Sequence, residues 1–260
     1  MISNSPLRKI DYKLSKSIYD LFNSDSMKLI PNYFGLIPYE IYILPGMYLA
    51  IIQVLWFGSP NPIQFHLLPH WFGYSMFQLL KGSINAPRPG CWIEGMKDFI
   101  DESHCSHGHE WQSFPSGHTG IASSLAMALF MEMIYSDDAH FFEIKIKSKK
   151  TRRLIGFTGL FVAFMVGIHR ISKGYHSIGD AMTGSLIGMS IGFISWTSLE
   201  YFKKLYYKLC KERGGLKEDD LCENYKYAEK DKEFGYWLHN YNIFTLKLFD
   251  QPEIDILIGI

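Results

Sequence analysis

Long runs of this chain contain no Asp, Glu, Lys or Arg, among them residues 41–80, 154–169 and 181–199. Charge is crowded instead into residues 1–30, 143–153 and 200–235. A water-soluble fold scatters charge along every surface-facing stretch. Segregation on this scale points to helices that cross a bilayer, with polar ends and loops. The mean hydropathy, near zero, conceals the pattern because the two kinds of segment cancel.

The expected fold class is therefore all-α: a polytopic transmembrane helix bundle of about five spans. Its boundaries fall into an amphipathic N-terminal segment (1–32), a membrane domain (33–200) and a cytoplasmic tail (201–260). In the first segment Leu7, Ile10, Leu14, Ile18, Leu21 and Phe22 recur at helical spacing. That helix is too polar to span, so it lies on the bilayer surface or packs on the bundle. No cleavable signal peptide is evident, and the first span serves as an uncleaved signal. The run 41–80 is too long for one span, and Gly58-Ser-Pro-Asn-Pro62 breaks it into a hairpin of about 36–57 and 63–81. Further spans follow residue 118, at 154–169 and at about 178–199. In the tail, Gly214-Gly215 and the acidic 218–223 read as a linker, and 234–249 as a surface amphipathic stretch.

Lys145, Lys147, Lys149, Lys150, Arg152 and Arg153 mark one cytoplasmic boundary; Lys203, Lys204, Lys208, Lys211 and Arg213 mark another. The opposite helix ends then face away from the cytoplasm. The same alternation puts the N-terminus outside, although Arg8, Lys9, Lys13, Lys16 and Lys28 run against the charge rule. A formal net charge of zero leaves no nucleic-acid footprint. Cys91 and Cys105 share the loop between the second and third spans; they either pair in an oxidising compartment or stay free thiols. Cys210 and Cys222 belong to the tail and are expected to be reduced.

Three stretches on the non-cytoplasmic side carry chemistry. The first is Lys81-Gly-Ser-Ile-Asn-Ala-Pro-Arg88-Pro89, which aims two cations from a helix end and a proline-fixed turn. The second is Phe114-Pro115-Ser116-Gly117-His118, a helix start whose free amides suit an anion and whose Gly117 permits close approach. His118 on its rim is placed to donate a proton. The third is Arg170 followed by His176 and Asp180. Taken as the start of a helix, His176 and Asp180 share a face, so the carboxylate can orient the imidazole and leave its other nitrogen bare. Arg170 adds a planar fork for phosphate oxygens. Each piece has a plainer reading as a helix-surface pair, a membrane boundary or a helix start, and only their conjunction tells. His66 with His70, and the cluster His104-Cys-Ser-His-Gly-His109, have metal-like spacing, but both read better as structural or loop histidines.

Together these stretches resemble the three signature motifs of the type 2 phosphatidic acid phosphatase and vanadium haloperoxidase superfamily, in order and internal spacing. The resemblance covers about residues 60–200. One departure is His169, where the family usually has Ser before the arginine. Many lipid phosphatases of the family have six spans, whereas glucose-6-phosphatase has two before the first motif, as here. The resemblance implies catalysis by His176 as nucleophile, His118 as acid and base, and Asp180 as orienter. It also implies phosphate binding by Lys81, Arg88, Ser116, Gly117 and Arg170, with no metal and no cofactor. The implied function is an integral-membrane phosphatase acting through a phosphohistidine on a lipid phosphate or diphosphate, such as phosphatidate, a sphingoid phosphate or an isoprenoid diphosphate. Its partners would be that substrate and the bilayer, with the site on the lumenal or extracytoplasmic face of the endoplasmic reticulum or another membrane. The alternatives are a glucose-6-phosphatase-like sugar phosphate phosphatase, a lipid phosphotransferase, a haloperoxidase, and a non-catalytic membrane scaffold.

Overall fold

A computed structural model describes residues 6–40, 48, 68–93, 95, 96, 100, 105, 106, 109–136, 139–141 and 144–212. It is built almost wholly of helices. α1 (Pro6–Asn23) is followed by a single turn, α2 (Leu29–Pro31), which passes into a π-helical stretch at Asn32–Leu36. Then come α3 (Leu68–Ser83), the short α4 (Pro89–Trp92), α5 (Gly117–Tyr135), α6 (Lys149–Ser172) and α7 (Ile178–Glu212). A two-residue antiparallel ladder, β1 (His140–Phe141) with β2 (Ile144–Lys145), joins α5 to α6. The expected first span lies mostly outside the described residues, as do His66, His104 and the 234–249 stretch.

α5 is the central element, flanked by α6 and α7. α5 and α7 run parallel, and small residues bring them together. Gly184, Gly188 and Gly192 recur every fourth position, so they form one stripe. A Cβ on any of them would collide with the backbone carbonyl of Ser116, Gly120 or Ser124 on α5. Ser123 Oγ donates to Ser185 Oγ at 3.0 Å across the same seam. The apolar core lies between α5, α6 and α3, from Phe77, Ile121, Ala122, Leu125, Ala163 and Val166, with Tyr39 closing it.

The two ends of the bundle differ. At one end Ser148 caps α6, accepting from the Thr151 amide at 3.3 Å. Arg152 there donates from Nε to the Met133 carbonyl at 2.8 Å and from its terminal nitrogen to that of Ser136. It thereby satisfies the open carbonyls at the end of α5. At the other end α5 and α7 begin, α6 finishes and the loop after α3 folds over them. Here Cys91 and Cys105 are joined by a disulfide, which settles the choice left open by the sequence.

α6 and the Ile178–Tyr201 part of α7 are long and apolar enough to cross a membrane. Among the described residues these two helices alone meet that measure: α5, expected as a further span, falls short of it, and α3 has only 16 residues, so five spans are not shown. Large apolar side chains stay exposed around the outside: Trp71, Phe72 and Leu79 on α3, Leu154, Phe157 and Phe164 on α6, Met182, Leu186 and Ile194 on α7. The helix expected at about 178–199 continues to Glu212, into the region read as tail.

Candidate active site

The loop between α6 and α7 is built from two backbone devices placed end to end. α6 closes with a Schellman turn: Gly174 takes φ +72°, its amide donates to the Ile171 carbonyl at 2.9 Å, and the Tyr175 amide donates to that of Arg170 at 3.1 Å. A positive φ at this point is why glycine stands there. The turn brings Tyr175 back over Arg170, whose guanidinium carbon lies 3.9 Å from the ring centroid. α7 opens with a reciprocal cap. The Ser177 amide donates to Asp180 Oδ2 at 3.0 Å, and the Asp180 amide to Ser177 Oγ at 3.2 Å. His176 is the residue between the two devices, so neither its φ nor its ψ is free to wander.

His176 therefore stands before α7 rather than within its first turn, and this changes its relation to Asp180. Its Nδ1 donates to the backbone carbonyl of Ser113 at 2.7 Å, not to the carboxylate. A carbonyl can only accept, so the proton sits on Nδ1 and Nε2 is left bare. Asp180 reaches the imidazole at one remove: its Oδ2 accepts from Ser113 Oγ at 2.5 Å. The cause is local, because the capping exchange with Ser177 turns the carboxylate back toward the backbone. Nothing in the sequence around Ser113 marks it, whereas Ser177-x-x-Asp180 is a readable cap signature.

The second stretch is fastened to the third. The Ser116 amide donates to the Asp180 carbonyl at 3.0 Å, which sets the start of α5 beside the start of α7. Ser116 caps α5 with extended φ and ψ, and its hydroxyl pairs with Thr119 Oγ1 at 2.8 Å. Pro115 precedes that cap rather than occupying the first helical turn. The Phe114–Pro115 peptide bond is cis. His118 packs its ring on buried Tyr39, centroids 5.0 Å apart. Tyr39 was not visible in the sequence as part of the site, since it lies far along the chain from the three motif stretches.

The first stretch closes the cage. Arg88 is extended, as its flanking prolines imply, and its Nη1 donates to the Tyr175 carbonyl at 3.2 Å. The Gly90 amide donates to the Gly174 carbonyl at 2.8 Å, tying this loop to the Schellman turn. Lys81, in the last turn of α3, comes so close to Gly117 that a Cβ there would lie 3.6 Å from its Nζ.

The electrostatics follow from this convergence. Burial, then the positive fields of Arg88, Arg170, Lys81 and His118, hold the His176 imidazole well below its ordinary range. Burial also lowers the Arg88 guanidinium, against the fields of Asp180 and Tyr175, and it remains a cation at neutral pH. Arg170 is buried, and its Nε has no hydrogen-bond partner among the described residues. The one carboxylate named at the site, Asp180, is already engaged by Arg8, Ser113 and Ser177. His70, by contrast, takes no part in the site contacts described, and its buried Nδ1 has no partner among the described residues.

The motif spacing and this geometry meet a family comparison. The family model described as the PAP2 superfamily matches residues 70–204, just over half of the chain. The chain belongs to the PAP2 superfamily. Neither a curated protein nor a solved structure matches it. As a PAP2 superfamily member it is of a phosphatase-type enzyme class acting on a phosphorylated substrate. The matched region holds all eight residues singled out from the sequence: Lys81, Arg88, Ser116, Gly117, His118, Arg170, His176 and Asp180. α1 and the π-helical stretch with Tyr39 lie outside it.

Proposed function

We propose that this protein is an integral-membrane phosphatase that hydrolyses a lipid phosphomonoester or diphosphate through a phosphohistidine on His176, without a metal. The observation that carries the reading is the pairing of a neutral imidazole, fixed by its Nδ1 hydrogen bond, with three surrounding cations. A phosphomonoester carries close to two negative charges near neutral pH. Lys81, Arg88 and Arg170, with Ser116 and the Gly117 amide, would balance it and hold phosphorus in line with Nε2.

In the first step Nε2 of His176 attacks phosphorus, the bond to the leaving oxygen breaks, and His118 gives that oxygen its proton. In the second step water gives a proton to His118 and attacks phosphorus. The N–P bond then breaks, releasing phosphate and restoring neutral His176. Asp180 acts through Ser113, whose carbonyl fixes the ring.

Support for a membrane-bound lipid substrate comes from the outside of the bundle. Apolar side chains exposed on α3, α6 and α7 would associate in water, whereas hydrocarbon suits them. The site at the end of these helices would meet a headgroup at the bilayer surface. The Cys91–Cys105 disulfide favours an oxidising, non-cytoplasmic compartment for that end.

The test is phosphate release by the purified protein in mixed micelles, with EDTA present, from phosphatidate and from glucose 6-phosphate. Hydrolysis of phosphatidate is expected, with EDTA without effect. Preference for glucose 6-phosphate would overturn the lipid assignment, and loss in EDTA the metal-free one. Arg88→Ala should lower turnover on the order of a hundredfold.

A further inference from the structure

α1 is amphipathic in the reverse of the usual sense. A helix that docks for packing buries its apolar stripe. Here Leu7, Ile10, Leu14 and Leu21 are exposed, while Ser15 and Tyr19 are buried and Arg8 is half-buried. The contacts on the inner face are polar and specific. Asp11 Oδ1 accepts from the Gly179 amide at 2.9 Å, and Ser15 Oγ from the Ile178 amide at 2.9 Å. These are open donors of the first turn of α7, supplied with acceptors from a helix more than 160 positions earlier. Tyr12 donates from its hydroxyl to the Pro87 carbonyl at 3.2 Å, beside Arg88. Arg8 donates from Nε to the Tyr12 hydroxyl at 3.2 Å and from Nη1 to Asp180 Oδ1 at 3.2 Å.

We infer that Arg8 is a positioning residue for phosphoryl transfer, acting through Asp180 and Ser113 on the nucleophile His176. The inference rests on the phosphatase reading. The chain of contacts has no slack: Arg8 holds one carboxylate oxygen of fully buried Asp180, and the other accepts from Ser113 Oγ and the Ser177 amide. Ser113 in turn supplies the carbonyl that fixes the imidazole. Without Arg8, Oδ1 of buried Asp180 loses its charged partner, and the carboxylate must turn or take a proton. Either response loosens Ser113. Burial lowers the Arg8 pKa, but Asp180, Tyr12 and Asp11 outweigh it and the net shift is upward, as befits a cation held by its partners.

The experiment compares wild type, Arg8→Gln, Arg8→Lys and Lys9→Gln, an exposed cation on the same helix. Vanadate binding is the first readout, because vanadate takes the pentacoordinate geometry of the transferring phosphoryl group and reports where Nε2 lies, whether or not a substrate turns over. Arg8→Gln should weaken it roughly tenfold, with partial recovery in Arg8→Lys and no change in Lys9→Gln. In turnover, kcat should fall with KM little changed, and Arg8→Gln should cost nothing further in an Asp180→Asn background. Unchanged vanadate affinity and kcat in Arg8→Gln, or a full additive loss on Asp180→Asn, would overturn the inference. If wild type binds vanadate but hydrolyses no phosphoester, the phosphatase reading fails, whereas the vanadate affinities of the variants still decide whether Arg8 positions His176. If wild type binds no vanadate, both fail.

Discussion

His176 shows how a single side chain can be assigned a state before any substrate is present. Its Nδ1 proton is committed to the Ser113 carbonyl, and burial among cations disfavours a second proton. The lowered pKa gives the sign of the pH response. Protonation, which destroys the nucleophile, occurs below the ordinary histidine value rather than at it. The acid limb of kcat/KM, which reports the free enzyme, should therefore fall below pH 6.5 once the substrate's own titration near 6 is divided out. An acid limb at or above 6.5 would contradict this environment for His176. At this scale the sequence marked the side chains that the fold gathers at one end and misjudged one link. Spacing four apart suggested that Asp180 bonds the imidazole directly; the helix begins two residues later than assumed, and Ser113 stands between them. Ser113, Tyr39 and Arg8 carried no local signal because their partners are distant in the chain.

At the scale of elements, the cage depends on helices being held at fixed separation and register. The parallel pair α5 and α7 meets at Gly184, Gly188 and Gly192, so a side chain at the middle position must push the two helix starts apart. Gly188→Leu should destabilise the fold by about 1–3 kcal/mol or more, measured as a lower midpoint in detergent. Gly82, with nothing within 4 Å of its Cβ position, should tolerate Ala with no loss. A Gly188→Leu midpoint equal to wild type would show that the seam is looser than described. Helix existence was readable from the uncharged runs, because apolar length is a coarse signal. Exact boundaries were not, since they rest on local devices: Ser148 at the start of α6, the glycine turn that ends it, and Ser177 with Asp180 at the start of α7. The Ser177-x-x-Asp180 signature is the exception, a cap readable from the residues alone.

The whole molecule places three remote stretches at one end of a helical bundle and a basic end opposite. Arg152 sits at that far end, bonded to the carbonyls of Met133 and Ser136, while the disulfide and α1 lie with the site. The position of α1 eases the tension in its charge. Arg8 is matched by Asp180, Lys16 by Asp20 and Lys28 by Asp25, so three of the cations that run against the charge rule have partners in the fold. Order along the chain could not reveal this, because the partner of Arg8 is 172 positions away. The central claim is that these stretches form one phosphoryl-transfer site with His176 as the acceptor. The direct measurement is rapid acid-free quenching of the purified protein with phosphate-labelled phosphatidate, followed by mapping of the label. An alkali-stable, acid-labile label on the peptide containing His176, lost in His176→Ala, is the expected result; turnover with no such label, or with label on another residue, would contradict it.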